Sequence, residues 1–154
     1  MSPNANLFLI NPNGILFGAG AQLSLQGSFI ASTASSYVFA NGSQFSTINP
    51  QLAPLLAVNV PDGLQFGLNS ASLNVQNNIN LQAGLGKTLA LVGGEVNLGD
   101  NVTSLSASTT LYAPAGRIEV GSVSSGSLVK LDQIDKGFSL EYSGAHASGK
   151  GFQP

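Results

Sequence analysis

The chain has 154 residues and a mass of 15.6 kDa, enough for one domain with a sizeable core. Hydrophobic residues make up 43% and charged residues only 8%, with a net charge of −2, which excludes the polar, highly charged composition of disordered chains. Five scattered cations (Lys87, Arg117, Lys130, Lys136 and Lys150) cannot form the phosphate-neutralising stripe that a nucleic-acid binder needs.

Short runs that alternate apolar and polar side chains, bounded by Gly, Asn, Asp or Ser, predict strands, and no helical period is present. In chain order the first is 6–10. Asn11-Pro12-Asn13-Gly14 follows, with Asn at i, Pro at i+1 and Gly at i+3 of a type I turn, and leads into 15–17. Strands at 22–25, 28–31 and 36–40 come next. Residues 47–61 contain Pro50, Pro54 and Pro61 and read as an excursion from the regular pattern, including a strand-like piece at 55–60. Further strands are expected at 64–66, 72–75, 79–82, 88–92, 95–98, 102–106, 109–113, 117–120, 127–131 and 138–142. The Gly/Ser-rich stretch 143–154 reads as a flexible tail, leaving 1–142 as the domain.

Four apolar-x-apolar triplets recur in phase: Leu73-Asn74-Val75, Val96-Asn97-Leu98, Ile118-Glu119-Val120 and Leu140-Glu141-Tyr142, at nearly even steps along the chain. Gly94, Gly116 and Gly137 precede three of them. Leu89-Ala90-Leu91 and Leu111-Tyr112-Ala113 repeat the same step. Short strands at such a period predict an all-β fold, a parallel β-helix or solenoid with about 22 residues per coil. At about 4.8 Å per stacked coil, seven coils would make a rod roughly 33 Å long.

Candidate chemistry is sparse. Absence of cysteine excludes a disulfide framework, a thiolate zinc site and a Cys nucleophile, and suits a chain that crosses a membrane unfolded. No apolar run is long enough to span a bilayer. The N-terminal stretch has no signal-peptide pattern, so the chain reads as cytoplasmic or as a piece of something longer. Gly86-Lys87-Thr88 resembles the end of a phosphate-binding loop, but Leu81 stands where that motif needs Gly, and no helical pattern follows. Ser127-Leu128-Val129-Lys130 matches S-x-x-K on a predicted strand, where the two side chains cannot share a helix face. His146 is the single histidine and lies in the tail, which disfavours a triad or a His metal cluster. Asn41-Gly42-Ser43 and Asn101-Val102-Thr103 read as turns rather than glycosylation sites. With coils of the predicted length, Glu119 and Glu141 would stack one coil apart, near the spacing of a retaining glycosidase pair. Asn97 would then lie below Glu119, and Glu95 beside Arg117; a surface column of partly offset charges is the plainer reading. No cofactor and no metal is implied.

Residues 4–33, NANLFLINPNGILFGAGAQLSLQGSFIAST, resemble the filamentous-haemagglutinin-type secretion domain of two-partner secretion exoproteins. The carrying motifs are the turn Asn11, Pro12, Asn13, Gly14, Ile15 and a second block, Gly27, Phe29, Ala31, Ser32. The likeness continues through 55–61, 86–94 and 114–122, so that the chain resembles the C-terminal part of that domain. The resemblance implies a right-handed parallel β-helix, export through a partner outer-membrane transporter, and secretion or surface display on a Gram-negative-type bacterium. It further implies adhesin-like or haemagglutinin-like parents, non-enzymatic, with a host or surface glycan or protein as receptor. A competing assignment is a β-helical carbohydrate-active enzyme using Glu119 and Glu141, and another is a stand-alone self-assembling solenoid. A β-helix end lacking a neighbouring coil presents open strand edges, from which self-association into a homo-oligomer is expected.

Overall fold

The computed structural model describes residues 5–39, 44–46, 61–99, 109–134 and 137–142, and these contain fifteen strands and no helix. The first four strands are β1 (Leu7–Ile10), β2 (Ile15–Phe17), β3 (Gln22–Ser24) and β4 (Phe29–Ser32). Next come β5 (Ser36–Val38), β6 (Gln44–Ser46) and β7 (Gly63–Gln65). They are followed by β8 (Ser72–Val75), β9 (Asn80–Gln82), β10 (Thr88–Gly93), β11 (Glu95–Leu98), β12 (Thr110–Tyr112) and β13 (Arg117–Ser122). The last two are β14 (Leu128–Ile134) and β15 (Gly137–Glu141). The expected pieces at 55–60 and 102–106, most of the 47–61 excursion, the 143–154 tail, His146, Asn41 and Asn101 lie outside the described residues.

Three sheets are parallel: sheet I in the order β1-β4-β10-β13, sheet II in the order β11-β8-β2 and sheet III in the order β12-β9-β3. Following the chain, the strands enter sheets I, II and III in that order three times and then return to sheet I at β13. This winding is β-helix-like. Two of its steps have the expected length: Leu7 pairs with Phe29, and Leu73 with Val96.

The rest of the predicted repeat is corrected. Val96 lies in sheet II and Ile118 in sheet I, so these triplets do not stack; Ile118 pairs instead with Leu89, a longer step than the repeat predicts. Leu111 pairs with Leu81 rather than with Leu89. All three strands of one coil carry the same apolar-x-apolar signature, so a step lengthened by about one strand slips the pattern onto a neighbouring face without changing its appearance. Among the described residues, the expected seven-coil rod is therefore replaced by three rounds, joined to a fourth, antiparallel sheet IV in the order β15-β14-β7-β5-β6.

Sheet IV covers the outer face of sheet I and creates two cores. Inside the winding, Phe29, Ala31, Leu89 and Leu91 of sheet I meet Leu73 and Val75 of sheet II and Leu81 of sheet III. On the other side of sheet I, Ile30, Ala90 and Val92 pack against Tyr37, Leu64, Val129, Leu131, Phe138 and Leu140. Phe8 meets Tyr37 and Phe138 edge-on, with ring centroids 5.9 and 5.5 Å apart. Every residue of β4 and β10 is consequently buried, which explains their unbroken sequences FIAS and TLALVG. Strands β8 and β9 bury alternate residues only.

At the corner between sheets III and I, successive rounds pass with no room for a side chain. A Cβ on Gly84 would overlap the Gln26 carbonyl, and one on Gly116 would overlap the Lys87 carbonyl. We expect Gly84→Ala to cost about 3 kcal/mol, because the opposing atom is backbone and cannot rotate away. Gly20→Ala, at φ +85° in open space, should cost only about 1 kcal/mol of backbone strain. Urea unfolding of both variants checks this, and equal losses would contradict the packing argument.

Candidate functional site

The first motif forms the corner between sheets I and II. β1 is held to β4 in parallel register, and Asn11 extends that ladder by donating its N–H to the Ser32 carbonyl at 3.0 Å. The chain then turns. The Gly14 N–H donates to the Asn11 carbonyl at 3.1 Å, and the Asn13 N–H donates to Asn11 Oδ1 at 3.0 Å. Gly14 has φ +114°, and a Cβ there would lie 3.3 Å from the Ser72 carbonyl oxygen, so both conformation and space call for glycine. Ile15 emerges paired with Leu73 in sheet II. The turn thus joins the two strands that the sequence pattern assigns to it.

The second motif lies beside the first. Phe29 and Ala31 project into the inner core, and Phe17 of β2 meets Phe29 edge-on at 6.1 Å. The Ser32 hydroxyl accepts from the Ala34 N–H at 3.0 Å, while its carbonyl accepts from Asn11. The Gly27 carbonyl accepts from the Gly84 N–H at 3.1 Å. Sequence separates the two blocks, but the Asn11–Ser32 bond makes them one structural unit. Next to it a groove of about 740 Å³ runs between the turn and segment 67–69, lined by Pro12, Asn13, Ser35, Leu68 and Asn69 among others. Leu68 is 90% exposed on its rim.

The two carboxylates expected to form an acidic pair are not stacked. Glu119 pairs in register with Ala90 and projects from the outer face of sheet I toward sheet IV. Its Oε2 accepts from the Leu140 N–H at 2.7 Å, and its Oε1 lies 3.5 Å from the Arg117 guanidinium. Glu141 is opposite Lys130 on β15, exposed, and alternation along the strand turns it away from buried Leu140. Asn97 lies beside Asn74, whose Oδ1 accepts its amide at 2.8 Å, and Glu95 beside Ser72, not Arg117. The geometry on which a glycosidase-like pair depended is absent.

The other motifs settle into the scaffold. Gly84–Lys87 is a turn followed by strand β10, and the Thr88 hydroxyl is buried, bonded to Phe138. Ser127 is buried at the start of β14, while Lys130 on that strand is exposed. Among the described residues, no group of three or more His, Asp or Glu gathers as a metal site, and no helix is long and apolar enough to cross a membrane. Thr88 and Phe138 are structurally decisive residues that pattern reading passes over. Thr88 falls inside the nucleotide-loop resemblance, and its only other sequence signal is its place at the head of an unbroken apolar run.

Residues 2–151 match the family described as the TPS secretion domain. The chain belongs to the TPS secretion domain family. No curated protein and no solved structure matches it. Membership identifies a secretion module and implies a secreted exoprotein that meets an outer-membrane partner transporter. The two motif blocks joined at the Asn11–Ser32 corner are thus part of a TPS secretion domain.

Two phenols of this TPS domain are held protonated well above their ordinary value of 10.0: Tyr37 by burial, and Tyr142 by burial and then by the Glu119 carboxylate. The folded chain therefore keeps protons that the unfolded chain releases. This contribution is complete below about pH 10 and is lost as pH rises beyond it. We expect the urea midpoint to fall between pH 9 and 11.5, and to fall less in a Tyr37→Phe, Tyr142→Phe double variant; parallel declines would exclude these phenols as the cause.

Proposed function

We propose that this chain is a non-enzymatic secretion and adhesion module of a two-partner secretion exoprotein, with residues 1–142 forming one domain built on a right-handed, β-helix-like winding. In this reading the exoprotein leaves the cell through its partner transporter and is displayed or released at the surface of a Gram-negative-type bacterium. There it meets a glycan or protein receptor. The observation that carries the proposal is the family match across 2–151. It is supported by the motif turn and second block meeting at one corner beside an open groove. A Cys-free chain can also pass a pore unfolded with no disulfide to block its passage.

Groove recognition by the transporter is tested with Asn13→Ala and Leu68→Ser. Both residues are exposed, so neither change should move the melting temperature by more than about 2 °C. With the partner transporter co-expressed and an export leader supplied, secreted chain should drop several-fold in the double variant. Undiminished secretion would remove the groove from the recognition surface.

A further inference from the structure

Sheet IV is assembled from two distant parts of the chain. β5, β6 and β7 come from residues 36–65, whereas β14 and β15 come from residues 128–141. The inner core draws on residues up to Ala113, so it needs nothing from β14 or β15. The outer core takes Val123, Val129, Leu131, Phe138 and Leu140 from the end of the described chain. Until those residues arrive, β7 has no β14 to pair with, and Ala90 and Val92 lack their cover.

The β14–β15 hairpin is also fastened along its far edge. Among the described residues β15 pairs with β14 on one side only, and on the other side it meets side chains rather than another strand. The Thr88 hydroxyl accepts from the Phe138 N–H and donates to the Phe138 carbonyl, both at 2.7 Å. Further along β15, the Leu140 N–H donates to Glu119 at 2.7 Å. The Tyr142 hydroxyl presses on Gly121, where a Cβ would not fit. Thr88, Glu119 and Gly121 all sit on the outer face of sheet I, on β10 and β13. A strand edge so held offers no open template for pairing.

We propose that the β14–β15 hairpin is a closing strap that docks last and opens first, with Thr88 and Glu119 as its fasteners. Resting on the export reading, this deepens it: the outer core stays open until residue 142 has emerged, and strap docking marks the emergence of this segment.

Hydrogen exchange on the full chain, read by mass spectrometry, tests the strap without any transporter. In native conditions peptides covering 128–141 should exchange at least about tenfold faster than peptides covering β8–β10. Glu119→Gln and Thr88→Val should widen that gap, accelerating the hairpin while leaving β8–β10 nearly unchanged. Pulse labelling during refolding of the unaltered chain should protect β10 before β15, which keeps the test open if a variant fails to fold. Equal exchange of both regions, or protection of β15 first, would overturn the proposal. Because the readout is in solution, its failure leaves the export reading standing, and a failure of export leaves this measurement standing.

Discussion

Strands β1, β4 and β10 of sheet I carry apolar side chains on both faces, and each face needs a separate cover. Sheets II and III supply one by winding back beneath it; sheet IV supplies the other by leaving the winding and crossing over. Burying a Leu or Phe side chain is worth about 1.5–3 kcal/mol, so neither face could be left wet in a chain of this size. The long departure after β4 follows from this requirement: strands β5 to β7 must be delivered to the outside before the chain resumes its rounds at β8. The same requirement places β14 and β15 after the last return to sheet I.

Much of this was legible in the residues. Alternation located nearly all the described strands within one or two positions, because a half-buried strand in a parallel stack shows its inward face at every second residue. The Asn11–Gly14 turn was legible because its residue types are fixed by backbone demands that act within the turn itself. What could not be read was which strand lies on which. Ile118 is equally well spaced for Val96 and for Leu89 once a connection changes length, and only contact decides. The antiparallel pairing of β14 with β15 was hidden in the same way, since Leu140-Glu141-Tyr142 looks like one more coil. Strand β6 was missed outright: Gln44–Ser46 has a single apolar side chain, too few to show a period.

The candidate site was legible in its parts but not in their union. The turn and the Gly27–Ser32 block stood out as separate motifs, and the ladder from β1 to β4 makes them neighbours. For Glu119 the difference was larger. As a surface acid in a column it suggested chemistry; in the fold its carboxylate accepts a backbone N–H, and just 17% of its side chain is exposed. A carboxylate so engaged serves the edge of a sheet, where a neutral side chain would form a weaker bond.

Arg117 and Glu119 form an ion pair on sheet I, and the outward rows of sheets II and III are mostly amides and hydroxyls, with Asn97 bonded to Asn74 and Gln82 to Asn80. Salt weakens attraction between exposed charges over about 8 Å at physiological ionic strength, but it leaves amide pairs and buried apolar contacts largely untouched. A fold put together mainly from such contacts loses little when salt screens its surface charges. For an exoprotein, which meets ions that no membrane regulates, this lowers the dependence of the fold on the salt around it.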